Sequence, residues 1–289
     1  MTIRERILNK ERSWTDILPL VFLQAILWME AGGFLGQVVL KIDRWGSLFT
    51  DNISVAEDIS EYMLSLGFCI AIVIALIVFK KNRKLLPGKT GILKGAGIGL
   101  ASGIVLNSAI VAGAVATGNL GLSYGHFEML TVIGYLLAIL CQAGGEELIC
   151  RLFIMGKLRR RYKSPAVAIL GNSIFFTILH LGNPGITVVS VISILIASIL
   201  FSLVVFYTDN IWMAISMHTA WNFMQTIVFG LPNSGMPSPY SVMKVVKAAD
   251  GFFYDTGFGV EGSWAAVILM SLAAVVLIVL HGKREAKCR

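Results

Sequence analysis

The chain has 289 residues, of which 56% are hydrophobic and only 14% are charged, with a formal net charge of +7 at pH 7. A mean hydropathy of +0.77 excludes an ordinary soluble domain, because such a domain needs far more polar surface to cover its core. The net charge does not indicate a nucleic-acid partner. Basic residues stand at the edges of apolar runs, where the lipid bilayer and its anionic headgroups are the expected counterpart.

Eight apolar runs follow one another along the chain, and a spanning helix needs about 20 predominantly apolar residues. The runs cover approximately residues 17–40, 62–79, 91–117, 128–156, 165–181, 186–207, 211–230 and 262–281. The fifth run is short and the fourth is long, so their ends are the least defined. The pattern predicts an all-α, polytopic transmembrane helix bundle with about eight spans.

Basic clusters in the loops predict the orientation of the bundle. They lie in the N-terminal stretch with Arg4, Arg6, Lys10 and Arg12, at 80–84, at 157–163 and in the tail 283–289. The intervening loops are acidic or neutral, as in segment 51–61. With eight spans all basic clusters fall on one side, which predicts that both termini are cytoplasmic. The first apolar run is too long for a signal peptide, and we expect it to be an uncleaved span.

The third run carries Gly91, Gly95, Gly99 and Gly103 at four-residue spacing. This stripe of small residues predicts close packing against a neighbouring helix. A phosphate-binding glycine loop is the alternative, but no strand precedes the glycines and no Lys-Ser/Thr pair follows them. Polar residues within the runs are predicted to form helix–helix hydrogen bonds, namely Asn107, Gln142 and Asn172.

Ionisable residues inside the bilayer cost roughly 2.5–3.5 kcal/mol each on insertion scales. The fourth run contains three of them beyond its first residue, Glu128. Glu147 and Arg151 are four residues apart, in the order that favours an ion pair on a helix. Glu146 lies about 100° round the helix and would be free to act as a general base or acid. In the alternative interpretation, both carboxylates share Arg151 and are purely structural.

Two of the chain's four histidines, His180 and His218, belong to the fifth and seventh apolar runs. His180 ends the fifth run, and His218 shares a helix face with Asn222 in the seventh. The alternative role for each histidine is a helix–helix hydrogen bond. Straight helices would place the two histidines at different depths. We therefore expect either tilted or broken helices, or a segment 157–167 that lies along the membrane interface.

Three motifs occur in order on these hydrophobic segments: Glu-Glu-x-x-x-Arg, Phe-x-x-x-His and His-x-x-x-Asn. Together they resemble the CPBP family, the CAAX-processing and bacteriocin-processing (Abi-type) intramembrane proteases related to the Rce1-type prenyl endopeptidases. The motifs cover roughly residues 128–226. The resemblance divides the chain into N-terminal spanning helices at 1–127, a protease core at 128–230, and an outer loop with the last helix at 231–289.

The resemblance implies a role for each of six residues. Glu146 matches the glutamate that activates a water molecule, and His180 matches its partner. His218 and Asn222 match the pair that holds the oxyanion of the tetrahedral intermediate. The supporting positions are Glu147 and Arg151.

The implied function is an intramembrane endopeptidase that needs no cofactor and acts on a peptide or a membrane-anchored protein. Its substrates would come from CAAX-type, leader-peptide or bacteriocin-related processing, and its location would be a bacterial plasma membrane. A zinc-dependent protease is one alternative, with Glu146, His180 and His218 as ligands and an open fourth position, although no His-Glu-x-x-His motif is present. A non-enzymatic immunity protein that binds a toxic peptide is another. A transporter would be expected to show an internal repeat, which the sequence lacks.

Overall fold

The structure is a computed structural model that describes residues 13–87 and 91–287. The N-terminal basic stretch and the side chains of the basic tail 283–289 lie outside what it describes. Within the described ranges, six helices are long and apolar enough to cross a membrane: Leu18–Val39, Ile53–Val78, Ile92–Ala116, Met129–Arg161, Val188–Thr208 and Trp264–His281. The predicted all-α membrane bundle is confirmed. The count of eight spans and the cytoplasmic termini stay predictions.

The described part of the N-terminal half contains four α-helices, and a π-helical segment, Leu35–Val39, follows the first of them. They are α1 (Leu18–Phe34), α2 (Ile53–Met63), α3 (Ser65–Val78) and α4 (Ile92–Ala116). The interpretation of 51–61 as an acidic loop was wrong, because most of this segment is α2. Asn52 caps its first turn by accepting a hydrogen bond from the Val55 amide at 3.2 Å, and Val55, Ile59 and Met63 are buried at four-residue spacing.

The C-terminal half contains six helices. They are α5 (Met129–Glu147), α6 (Met155–Arg161), α7 (Pro165–Leu179), α8 (Val188–Thr208), α9 (Ile211–Phe223) and α10 (Trp264–Lys287). A π-helical segment, Leu148–Ile154, joins α5 to α6, and another, Met224–Val228, extends α9. The fifth predicted run forms α7, which has only 15 residues. The seventh predicted run forms α9 and its π-helical extension, and these carry several polar side chains.

A small sheet was not predicted. Strand β1 (Leu120–Tyr124) pairs antiparallel with β2 (Met243–Ala248), which lies inside the long loop before α10. Leu122 and Val245 face each other and pack against the core. The pairing fixes the path of this loop, whose first part reaches the functional site described below.

The glycine stripe of α4 packs against α9, as predicted. A Cβ atom added to Gly95 would lie 2.2 Å from the Asn210 side chain, and one on Gly103 would lie 2.3 Å from the Met217 carbonyl oxygen. Gly99 is equally tight against the Met213 carbonyl, at 2.1 Å. The missing side chains let α9 approach α4 closely and so set the position of the residues that α9 carries.

Gly103→Leu is expected to destabilise the protein by about 1–3 kcal/mol, the usual cost of overpacking a close interface. The new side chain has to push α9 away, so we also expect a disturbed site on that helix. The matched control is Gly97→Leu, because a Cβ there meets no neighbouring atom of the described structure within 4 Å. Unfolding of both variants in detergent measures the difference, and equal stability of the two would contradict this packing.

Part of the basic cluster 157–163 is paired inside the protein. The buried Asp16 carboxylate accepts hydrogen bonds from Arg160 at 2.6 and 2.8 Å, and the Lys157 ammonium lies 3.3 Å from it. Arg160 also donates to Asn82 at 3.2 Å. Lys157 and Arg160 belong to a basic cluster from which the orientation of the bundle was predicted. In the structure they link α6 to the start of α1 and to the loop after α3.

Candidate active site

A cavity of about 380 Å³ lies between helices from both halves of the chain. Its wall contains four of the predicted site residues, namely Glu146, His180, His218 and Asn222. Apolar side chains complete much of the wall, including Met29 from α1 and Phe68 from α3. Side chains from α5 and α9 and from the end of α7 therefore meet at one cavity.

Glu147, Arg151 and His218 form a buried cluster behind the cavity. The Arg151 guanidinium donates to Glu147 Oε1 at 3.0 Å, and neither side chain is exposed. The same oxygen lies 3.0 Å from His218 Nδ1. Because a carboxylate accepts, Nδ1 carries a proton, and the Glu147 carboxylate fixes the orientation of the imidazole. The predicted ion pair is present and also holds a residue from another helix.

Arg151 is held from three further directions. It donates to the Ser198 carbonyl at 3.1 Å and to the Ser198 hydroxyl at 2.7 Å. Its guanidinium carbon lies 4.9 Å from the centre of the Phe176 ring and 5.5 Å from that of Phe201. These contacts compensate much of the cost of burying a charge and lock Glu147 in place.

Glu146 faces the cavity separately from this ion pair. Its Oε1 accepts a hydrogen bond from Gln142 Nε2 at 3.1 Å, and its Oε2 lies 3.7 Å from His218 Nε2. Oε2 has no hydrogen-bond partner among the described residues, and a quarter of the side chain is exposed. The purely structural alternative, in which both carboxylates share Arg151, is not the arrangement found.

His180 stands just beyond the last residue of α7. Its Nδ1 lies 2.8 Å from the Phe176 carbonyl oxygen, which can only accept, so Nδ1–H donates and Nε2 carries the lone pair. The Phe176 ring lies 4.4 Å from the His180 ring and 6.2 Å from the His218 ring. The Phe-x-x-x-His motif thus fixes the tautomer of His180 and separates the two imidazoles.

The expectation of tilted or broken helices that reconcile the depths of the two histidines stays a prediction. The two π-helical segments of the C-terminal half begin directly after Glu147 and after Phe223, next to the site, where such irregularities are frequent. Residues 155–161 continue from the π-helical segment as α6, and α7 begins at Pro165; the position of 157–167 along the interface stays a prediction.

Gln142 is the site residue whose importance the sequence did not reveal. It does form a helix–helix hydrogen bond, as predicted, but the donor is Asn222 Nδ2 at 3.1 Å, a residue of the site itself. Its position four residues before Glu146 on the same helix face was the available signal. Asn107 and Asn172 bond across helices elsewhere, to Gln225 at 3.2 Å and from Ser202 at 3.1 Å.

The loop after α9 closes one end of the cavity, and it too was missed. Asn233, Ser234, Met236 and Pro237 all belong to the wall. The carboxylate of Glu261 anchors this loop by accepting from the amide and hydroxyl of Ser234, at 2.8 and 2.7 Å. A second anchor is the 2.7 Å hydrogen bond from the Ser238 hydroxyl to Asp58.

The zinc alternative requires Glu146, His180 and His218 to converge on one point. Within residues 13–87 and 91–287, no group of three His, Cys, Asp or Glu side chains is arranged to hold a metal ion. The three side chains are not arranged as a zinc site among the described residues; the zinc alternative and the expected absence of a cofactor both stay predictions.

Residues 128–224 match the family described as type II CAAX prenyl endopeptidase Rce1-like. This segment is similar to Rce1-like domains. It extends from the residue before α5 to the end of α9 and contains all six predicted site residues. Neither a curated protein nor a solved structure matches the chain. With the six apolar helices, the Rce1-like domain indicates an integral membrane protein with CAAX-type intramembrane protease activity.

Proposed function

We propose that the protein is an intramembrane endopeptidase that hydrolyses a peptide bond with a water molecule activated by Glu146. The observation that carries this proposal is the Glu146 carboxylate, which lines the cavity and whose buried Oε2 has no hydrogen-bond partner among the described residues. A carboxylate in this position can hold and deprotonate a water, and the Rce1-like domain supplies the reaction class.

In the proposed reaction, Glu146 takes a proton from water while the oxygen of that water attacks the carbonyl carbon of the peptide. His180 Nε2, whose lone pair is free of the Phe176 contact, accepts a hydrogen bond from the second O–H of the water and orients it; that hydrogen stays on the attacking oxygen. The proton on Glu146 then passes to the leaving amine when the C–N bond breaks. Atoms and charge balance without a cofactor.

The negative charge that develops on the carbonyl oxygen of the peptide needs hydrogen-bond donors next to that oxygen. When His218 is an imidazolium, Nδ1–H points to Glu147 and Nε2–H is available to the oxyanion. Asn222 has a second N–H besides the one that it gives to Gln142. Donors held in place before the reaction cost no reorganisation, which is the usual basis of oxyanion stabilisation.

The substrate in this proposal is a peptide or a membrane-anchored protein, processed at a CAAX-type, leader-peptide or bacteriocin-related site. The apolar part of the wall, with Met29, Phe68 and Met270, suits apolar residues next to the scissile bond. The proposed location is a bacterial plasma membrane, and no nucleic-acid partner is proposed.

The test is cleavage of a farnesylated peptide ending in Cys-aliphatic-aliphatic-Xaa by the purified protein in proteoliposomes. We expect release of the terminal tripeptide, unaffected by 1,10-phenanthroline. Activity that is lost with the chelator and restored by zinc would contradict the metal-free mechanism. Failure to cleave this peptide or any other membrane peptide would contradict the proposed function.

A further inference from the structure

Four polar side chains form a square across the interface between α5 and α9. Gln142 and Glu146 are one turn apart on α5, and His218 and Asn222 are one turn apart on α9. The cross-helix contacts join Gln142 Oε1 to Asn222 Nδ2 at 3.1 Å and Glu146 Oε2 to His218 Nε2 at 3.7 Å. Along α5, Gln142 Nε2 donates to Glu146 Oε1 at 3.1 Å. Gln142 is the one corner of this square with no role in the proposed reaction.

The carboxylate at one corner determines the orientation of both amides. An ionised Glu146 only accepts, so the NH₂ group of Gln142 has to face it. The Gln142 oxygen then faces Asn222, which has to present its own NH₂ group in return. The remaining N–H of Asn222 is thereby fixed in direction, and its amide cannot flip without breaking the hydrogen bond.

We propose that Gln142 is a positioning residue that couples the proposed base Glu146 to the proposed oxyanion donor Asn222. This inference rests on the proposed function. Gln142 donates a hydrogen bond to Oε1 of Glu146 and leaves Oε2 to accept the proton of the water. It also keeps an N–H of Asn222, a residue that is only 3% exposed, on the side where the oxyanion forms.

A residue of this kind acts on the reacting geometry more than on substrate binding. Misplacement of a base or an oxyanion donor lowers the rate of the chemical step, because these groups contribute most in the transition state. We therefore expect a change at Gln142 to lower kcat and to leave KM nearly constant. A purely structural role would instead reduce the folded fraction without this separation.

The principal variant is Gln142→Met, which keeps the length of the side chain and removes both its donor and its acceptor. We expect kcat to fall about ten- to a hundredfold, the effect of losing a hydrogen bond to a charged group, with KM within about twofold. Gln142→Glu is the second variant, because it keeps an oxygen for Asn222 and loses the donor to Glu146. It is also expected to lower kcat.

The matched control is Asn107→Leu. It removes another buried amide that bonds across helices, at 3.2 Å to Gln225, but does not touch the square. If Gln142 is merely one more interhelical hydrogen bond, both variants will lower thermal stability alike and leave kcat of the folded protein alike. The positioning role predicts a selective loss of kcat in the Gln142 variants.

A double-variant cycle with Asn222→Ala gives an independent readout. Because Gln142 acts partly through Asn222, the loss in Gln142→Met/Asn222→Ala should be smaller than the product of the two single losses. The farnesylated peptide in proteoliposomes serves as the probe. Wild-type kcat in folded Gln142→Met and Gln142→Glu, together with an inactive Glu146→Gln, would overturn the positioning role alone. Full activity of Glu146→Gln would instead overturn the proposed function on which it rests.

Discussion

Glu146→Gln is expected to lower kcat for peptide hydrolysis by about 10²–10⁴-fold, the contribution of a well-placed general base. The amide keeps the size of the side chain but cannot take a proton from water. It can still contact Gln142, so the helix should keep its place. Because Glu146 is partly exposed to the cavity and lies outside the Arg151 ion pair, we expect little change in stability.

Steady-state cleavage of the farnesylated peptide by folded protein in proteoliposomes measures this effect. Glu57→Gln is the matched control, since Glu57 is an exposed carboxylate on α2 outside the cavity wall, and its removal should leave kcat unchanged. Retention of more than a tenth of the wild-type kcat in Glu146→Gln would contradict the assignment of the base.

Arg151→Met is expected to destabilise the protein by about 3–5 kcal/mol, because it leaves the Glu147 carboxylate buried without its cation. Neither side chain of the pair is exposed, so water cannot take the place of the guanidinium. His218 remains the only other hydrogen-bond partner of Glu147 Oε1 among the described residues. We expect the imidazole of His218 to lose its fixed orientation as well. Activity is expected to fall together with stability.

Two further variants separate loss of the pair from loss of bulk. In Glu147→Gln/Arg151→Met both charges are gone, and part of the stability should return. Arg44→Met removes an exposed arginine whose partner Asp43 lies 3.9 Å away, and should cost less than about 1 kcal/mol. Unfolding in detergent measures all three, and an equal cost for Arg151→Met and Arg44→Met would contradict the structural role of the buried pair.

Local spacing was enough to predict part of the site. Glu147 and Arg151 are four residues apart, and a helix brings such residues together whatever the rest of the chain does. The glycines of α4 were predicted to face a neighbouring helix for the same reason, since residues at four-residue spacing share one side. In both cases the period of the helix alone determines which residues lie on the same side.

Other features depend on tertiary contacts that no local pattern specifies. The contact between Glu147 and His218 joins residues from α5 and α9, and it needs the close approach that the α4 glycines permit. The sheet is formed by backbone pairing of β1 with β2, and the loop in the cavity wall is held by side-chain hydrogen bonds such as Ser234 to Glu261. Segment 51–61 was misassigned because its acidic residues suggested a loop, although Asn52 and the buried apolar positions favour a helix.

The most direct test of the central claim is a comparison of peptides released from membranes that contain the wild-type protein or Glu146→Gln at equal amounts. The account predicts new peptide termini with the wild type that are absent with the variant. The same termini with both proteins would contradict the claim that Glu146 activates the water for proteolysis.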